Sequence, residues 1–118
     1  MNTEMKRIIE YASTLGIVEL HSPSFSLFAN GTYYGLPELD DIAWIIRIHN
    51  NEKEMDIVKG AYINEDYDVM TTQAVDYTKK FNYKFHLKKL VNKIRKLELE
   101  AKKLKENARI EKLEKDFE

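Results

Sequence analysis

The sequence predicts an α+β fold, with an N-terminal helix on a roughly four-stranded antiparallel sheet, followed by a helical C-terminal third with a long heptad-patterned helix. Three observations predict it. Apolar residues recur at three- and four-residue steps near the start, form alternating or β-branched runs between Phe25 and Ile63, and return to three- and four-residue steps from Leu87 to Ala108. A chain of 118 residues suffices for one core and not for two. The expected layout is a compact α+β body over residues 1–80 and an amphipathic helix over residues 81–118 that serves oligomerisation or partner binding.

Met5, Ile8, Ile9, Ala12 and Leu15 share one helical face, with Thr3 placed to cap the helix and Gly16 to end it in a left-handed conformation. Ile17 to Leu20 is a strand or extended connector, broken by His21, Ser22 and Pro23. Asn30-Gly31 suits a type I′ turn between Phe25–Ala29 and Thr32–Leu36, which predicts a hairpin pairing Ala29 with Thr32. Pro37 to Asp41 is an acidic connector that equally suits the opening of a helix. Ile42, Trp44, Ile46 and Ile48 alternate with Ala43, Ile45, Arg47 and His49, and their β-branched content favours a strand over a helix. Asn50 to Glu54 turns the chain into Met55–Ile63, with Gly60 as a bulge, completing a four-stranded meander. The acidic cluster Asn64–Asp68 is expected to cap a second helix carrying Met70, Ala74, Tyr77 and Phe81.

From Tyr83 onward, Leu87, Leu90, Ile94, Leu97, Ala101, Leu104 and Ala108 form a narrow seam, after which the phase slips to Ile110, Leu113 and Phe117. A helix of roughly 35 residues extends ~50 Å, whereas a body of ~80 residues is ~30 Å across. The seam therefore overhangs by roughly 13 residues and requires a second copy, a partner or a fold-back near Asn107. A homodimer is the first expectation, because one surface then covers itself.

The charges are segregated. Residues 1–78 hold 5 basic and 13 acidic side chains, and residues 79–118 hold 14 basic and 7 acidic ones, within a formal net charge of −1. Lys88, Lys89, Arg95, Lys96, Lys102, Lys103 and Arg109 recur at heptad spacing as a basic stripe suited to phosphates or an acidic partner. The same stripe suits a solvated face with pairs such as Glu98–Lys102 and Glu111–Lys115. Phe81, Tyr83 and Phe85 interleave with lysines, a pattern compatible with base stacking or with a packed junction.

No catalytic set stands out. Cys is absent, so there is no disulfide framework or thiol nucleophile. His21, His49 and His86 lack the spacing of a helical metal site. Asn64, Asp66 and Asp68 imitate the opening of a calcium loop, but Val69 and Val75 stand where glycine and the closing glutamate are needed. Tyr33, Trp44, Arg47 and His49 form a candidate pocket on a sheet face, where a nucleotide or metabolite would sit between protomers.

In its shortness, its lack of cysteine and its richness in Lys, Glu and Asn, the chain resembles the small accessory proteins of phages and mobile elements. That resemblance rests on composition and layout alone, and some of those proteins inhibit host machinery by binding it. The missing catalytic set, the overhanging seam and the separated charges predict a non-enzymatic, oligomeric protein-interaction module that binds or blocks a macromolecular partner. The alternatives are a nucleic-acid-binding accessory protein that uses the basic helix, or a small-molecule binder. No cofactor and no membrane are expected as partners, and a start without the layout of a signal peptide predicts a cytoplasmic location.

Overall fold

A computed structural model describes residues 1–21, 31–39, 43–72, 74–76 and 82–116, with the backbone alone for 74–76. Helix α1 spans Thr3–Thr14 and buries Met5, Ile8 and Ala12. Its cap is Asn2 and not Thr3, because the Asn2 side chain accepts the Met5 N–H at 2.8 Å. At the other end Gly16 (φ 90) closes the helix, its N–H reaching the Ser13 carbonyl while the Ile17 N–H reaches that of Ala12.

Strands β1 (Val18–Glu19), β2 (Gly31–Gly35), β3 (Ile46–His49), β4 (Met55–Val58) and β7 (Ala74–Asp76) form one antiparallel sheet in the order β1-β2-β3-β4-β7. Strands β5 (Ala61–Ile63) and β6 (Val69–Thr71) form a separate two-stranded hairpin. A short 3-10 turn, Pro37–Leu39, follows β2, and helix α2 runs for 34 residues, Tyr83–Asp116. The fold class is α+β as the sequence predicts, with β2, β3 and β4 as the central meander.

Four local expectations are corrected. Gly31 is a strand residue paired with His49 and lacks the positive φ of a type I′ turn. Its missing side chain serves close approach, since a Cβ there would lie 2.0 Å from the Ile48 carbonyl oxygen. Residues 25–29 lie outside the described residues, and the edge of Tyr34 assigned to them is held by Glu19 of β1, with Ile46 on the other edge. Met55–Ile63 is two strands in different sheets, and at the corner between them the Gly60 carbonyl accepts the Thr72 N–H at 2.8 Å.

In place of the expected second helix stand two strands in different sheets, β6 beside β5 and β7 beside β4. Asn64 accepts the N–H groups of Asp66 and Asp68 on its side chain, and Tyr67 adopts a positive φ of 62, so the acidic cluster closes a hairpin turn. Val69, Thr71 and Val75 then supply the β-branched content of strands. Tyr77 and Phe81 lie outside the described residues.

The core joins both parts of the chain. Ile8 of α1, Ile46 and Ile48 of β3, Met55 and Ile57 of β4, and Leu87, Leu90, Val91, Ile94 and Ala101 of α2 are buried in one cluster. Each full burial of a side chain the size of Leu or Ile is worth ~1.5–3 kcal/mol, so five buried residues on one face fix α2 firmly. It lies against β5, β6 and α1. Tyr83 stacks edge-on to Tyr11 at 6.0 Å, His86 Nε2 meets the Val58 carbonyl at 2.8 Å, and Lys105 pairs with Asp68 at 2.9 Å.

Beyond Lys105 the helix continues unbroken to Asp116, with no fold-back at Asn107. The molecule measures 62 × 31 × 21 Å. Its radius of gyration of 16.7 Å exceeds the ~13.5 Å of a compact chain of this length.

Candidate functional site

The first candidate is the sheet-face cluster. Tyr33, Arg47 and Asp56 are cross-strand partners on β2, β3 and β4, so pleating places their side chains on one face in a row, with His49 two residues along. Asp56 is the buried charged residue among the described residues, at 3% exposure. It accepts from Arg47 Nε at 2.9 Å, also from Arg47 Nη2, and meets His49 Nε2 at 2.8 Å. His49 Nδ1 faces Glu54 at 3.5 Å.

Trp44 completes the group. Tyr33 packs edge-on against it at 5.5 Å, and the Arg47 guanidinium lies 5.3 Å from its ring centre. Burial disfavours the charged guanidinium, but its hydrogen bonds with Asp56 and Tyr33 outweigh this and raise the Arg47 pKa above its ordinary value. The structure thus brings together Tyr33, Trp44, Arg47 and His49 around a residue the sequence reading missed. A carboxylate inside the apolar run Met55-Asp56-Ile57-Val58 was the available signal. The Arg47 nitrogens and His49 Nε2 meet the same Asp56 oxygen, so the cluster ties three strands together as an internal clamp. Among the described residues no group of three or more acidic or histidine side chains is gathered to hold a metal.

The second candidate is α2. Its predicted seam is intramolecular over much of its length, because Leu87, Leu90, Ile94 and Ala101 are buried in the chain's own core and Leu97 packs against it. That part of the seam, expected at an oligomer interface, is already covered. Leu104 and Ala108 are half-buried.

The residues of α2 that are open lie elsewhere. Phe85, Leu99, Ile110 and Leu113 are 66%, 67%, 47% and 51% exposed. Leu99 stands about 120° round the helix from Leu87, so these side chains form a second, outward face. The phase slip after Ala108 is the continuation of this outer row.

All of the seven stripe residues are exposed. Lys88, Arg95, Lys102 and Arg109 follow one side of the outer row, and Lys89, Lys96 and Lys103 the other. Lys89 sits 6.0 Å from the Phe85 ring. Arg95 donates to the Leu15 carbonyl at 3.2 Å, at the C-terminus of α1, and faces Glu38 at 4.0 Å. Among the described residues, the ion pairs of α2 are those of Arg95 with Glu38 and Lys105 with Asp68. The expected pairs Glu98–Lys102 and Glu111–Lys115 do not form.

Glu98 instead turns into a groove of ≈ 270 Å³ beside Glu38, Asp68 and Lys105. One of its carboxylate oxygens is sealed there with no hydrogen-bond partner. Burial, then the charge of Glu38, raises its pKa, while Arg95 opposes the shift.

The aromatic-lysine stretch divides as well. Phe81 lies outside the described residues, Tyr83 packs on Tyr11, and Phe85 faces outward. No helix among the described residues is long and apolar enough to cross a membrane. Compared with known proteins, the chain matches no family model, no curated protein and no solved structure.

Proposed function

We propose that the chain is a non-enzymatic interaction module of the cytoplasm that binds and blocks a protein partner with the outer face of α2. One observation carries this reading: four large apolar side chains stay exposed on a helix whose opposite face is already satisfied by the core. These side chains all lie on one side of α2 between basic rows, and apolar side chains gathered on one face with a polar rim mark an interaction site. A helix clamped at its base in a 62 Å molecule presents that face already helical, so binding orders side chains but need not fold the backbone. The action would be steric occlusion of whatever the partner's covered surface does.

The test compares co-purification from the source cell of the wild type and of the double variant Leu99→Glu, Ile110→Glu. A protein recovered in one-to-one ratio with the wild type and lost with the variant, whose circular dichroism is unchanged, supports the reading. Equal recovery of the same proteins by both overturns it.

A second reading, self-association, is favoured by the projecting end of α2, where Ile110 and Leu113 are exposed. Light scattering across a concentration series tests it, and the mass of one protomer throughout would remove it.

A further inference from the structure

Resting on the reading of α2's outer face as a docking surface, we propose that its partner is an acidic amphipathic helix laid along the face from Phe85 to Leu113. A step of seven residues returns to nearly the same side of a helix, about 20° short of two turns. Phe85, Asn92, Leu99, Glu106 and Leu113 therefore make one row, ~42 Å long at 1.5 Å per residue. Its apolar members recur every second heptad, and the polar ones stand between them. The basic rows run along both flanks.

This arrangement selects among occupants. A second copy laid against the face, antiparallel about Leu99, would set Arg95, Lys96, Lys102 and Lys103 against the same four residues. Like charges so placed oppose association. A nucleic acid would neutralise the bases but leave Phe85 and Leu99 against phosphates, and would bring Glu106 up to them. An anionic bilayer would cover the apolar side chains, but it offers no partner for Asn92 and Glu106 at the centre of the row.

An acidic helix meets each requirement. Its own heptad row supplies apolar residues opposite Phe85, Leu99 and Leu113 and polar ones between, and its flanking carboxylates pair with the two basic rows. Residues 84–105 hold nine basic against two acidic side chains, so the attraction is broad.

The test uses the full chain and a fluorescent synthetic peptide of 30 residues, on the order of the length of the face. The peptide carries Leu at alternate heptad positions, Gln between them and Glu on both flanks. A second peptide has Lys in place of every Glu. A 20-base-pair duplex and phosphatidylserine vesicles are run in parallel.

The acidic peptide is expected to bind and the lysine peptide not to. Leu99→Ala should weaken the acidic peptide at least ~5-fold, the loss of a contact worth about 1 kcal/mol. The double variant Lys96→Glu, Lys103→Glu should weaken it further, and raising the salt should do the same. Equal binding of both peptides overturns the proposal, as does binding of duplex or vesicles without the acidic peptide. If the co-purifying protein is lost with Leu99→Glu, Ile110→Glu while the acidic peptide fails to bind, the docking surface stands and the acidic helix falls. If neither responds, both fall.

Discussion

Cutting α2 at two places separates the part of the helix that holds the fold from the part that projects. A chain ending at Leu97 loses Ala101, which is 5% exposed, half-buried Leu104, and the Lys105–Asp68 pair. The Ala101 methyl is worth about 0.8 kcal/mol and the covered part of Leu104 about 1 kcal/mol. The pair has Lys105 54% and Asp68 33% exposed, so water screens it and it adds at most ~0.5 kcal/mol. The expected loss is roughly 2 kcal/mol. A chain ending at Glu106 loses exposed residues and half-buried Ala108, and its stability should stay within ~0.5 kcal/mol of the full chain. Urea unfolding followed by the fluorescence of Trp44, the single tryptophan, reads both. Equal losses from the two cuts, or a loss above ~2 kcal/mol for the cut at Glu106, would refute the division of α2.

Other perturbations probe the clamp, the close strand approach and the groove. Arg47→Met leaves the 3%-exposed Asp56 carboxylate without its guanidinium and should cost about 3 kcal/mol. Asp56→Asn should cost less, about 1–2 kcal/mol, since Arg47 and His49 are partly exposed and can rehydrate; a reversed order in urea midpoints would contradict the clamp. Gly31→Ala puts a Cβ 2.0 Å from the Ile48 carbonyl oxygen and should lower stability by ~2 kcal/mol or more in thermal unfolding.

Glu98→Gln should be more stable than the wild type at neutral pH, because the folded chain raises the pKa of this carboxyl through burial and the charge of Glu38. A raised folded pKa favours folding below the unfolded value and loses that contribution as pH rises through the folded one. The gain should therefore shrink as pH falls toward the ordinary value of 4.5, and a gain that grows on acidification would contradict the assignment.

What the sequence made legible was periodic and local. Met5, Ile8 and Ala12 mark α1 because a helix buries one stripe, and Gly16 marks its end because the left-handed position there admits no side chain cheaply. The β-branched alternation of Ile46 and Ile48 likewise gives β3. The misreadings come where tertiary pairing overrides a local signal. Asn30-Gly31 has the composition of a tight turn, but Gly31 is needed as a bare backbone against Ile48. Met70 and Ala74 have helical spacing, yet Val69 and Thr71 pair with Ile63 and Ala61 across the Asn64–Asp68 turn, and Val75 pairs with Ile57 in the other sheet.

The candidate surface was half legible. The basic stripe is periodic and could be read directly, whereas the outer apolar row has Asn92 and Glu106 at alternate places, so no run of apolar residues announces it. The spacing of α2 marks the stripe that is buried, Leu87, Leu90, Ile94 and Ala101, but not that the surface covering it is the chain's own β5, β6 and α1.

Site-specific photo-crosslinking in the source cell tests the central claim most directly, with a benzophenone amino acid placed in turn at Leu99, at Phe85 and at exposed Glu10 of α1. A discrete protein adduct from positions 99 and 85, and none from position 10, is the predicted result. Adducts from position 10 alone, or none from the α2 positions, would contradict it.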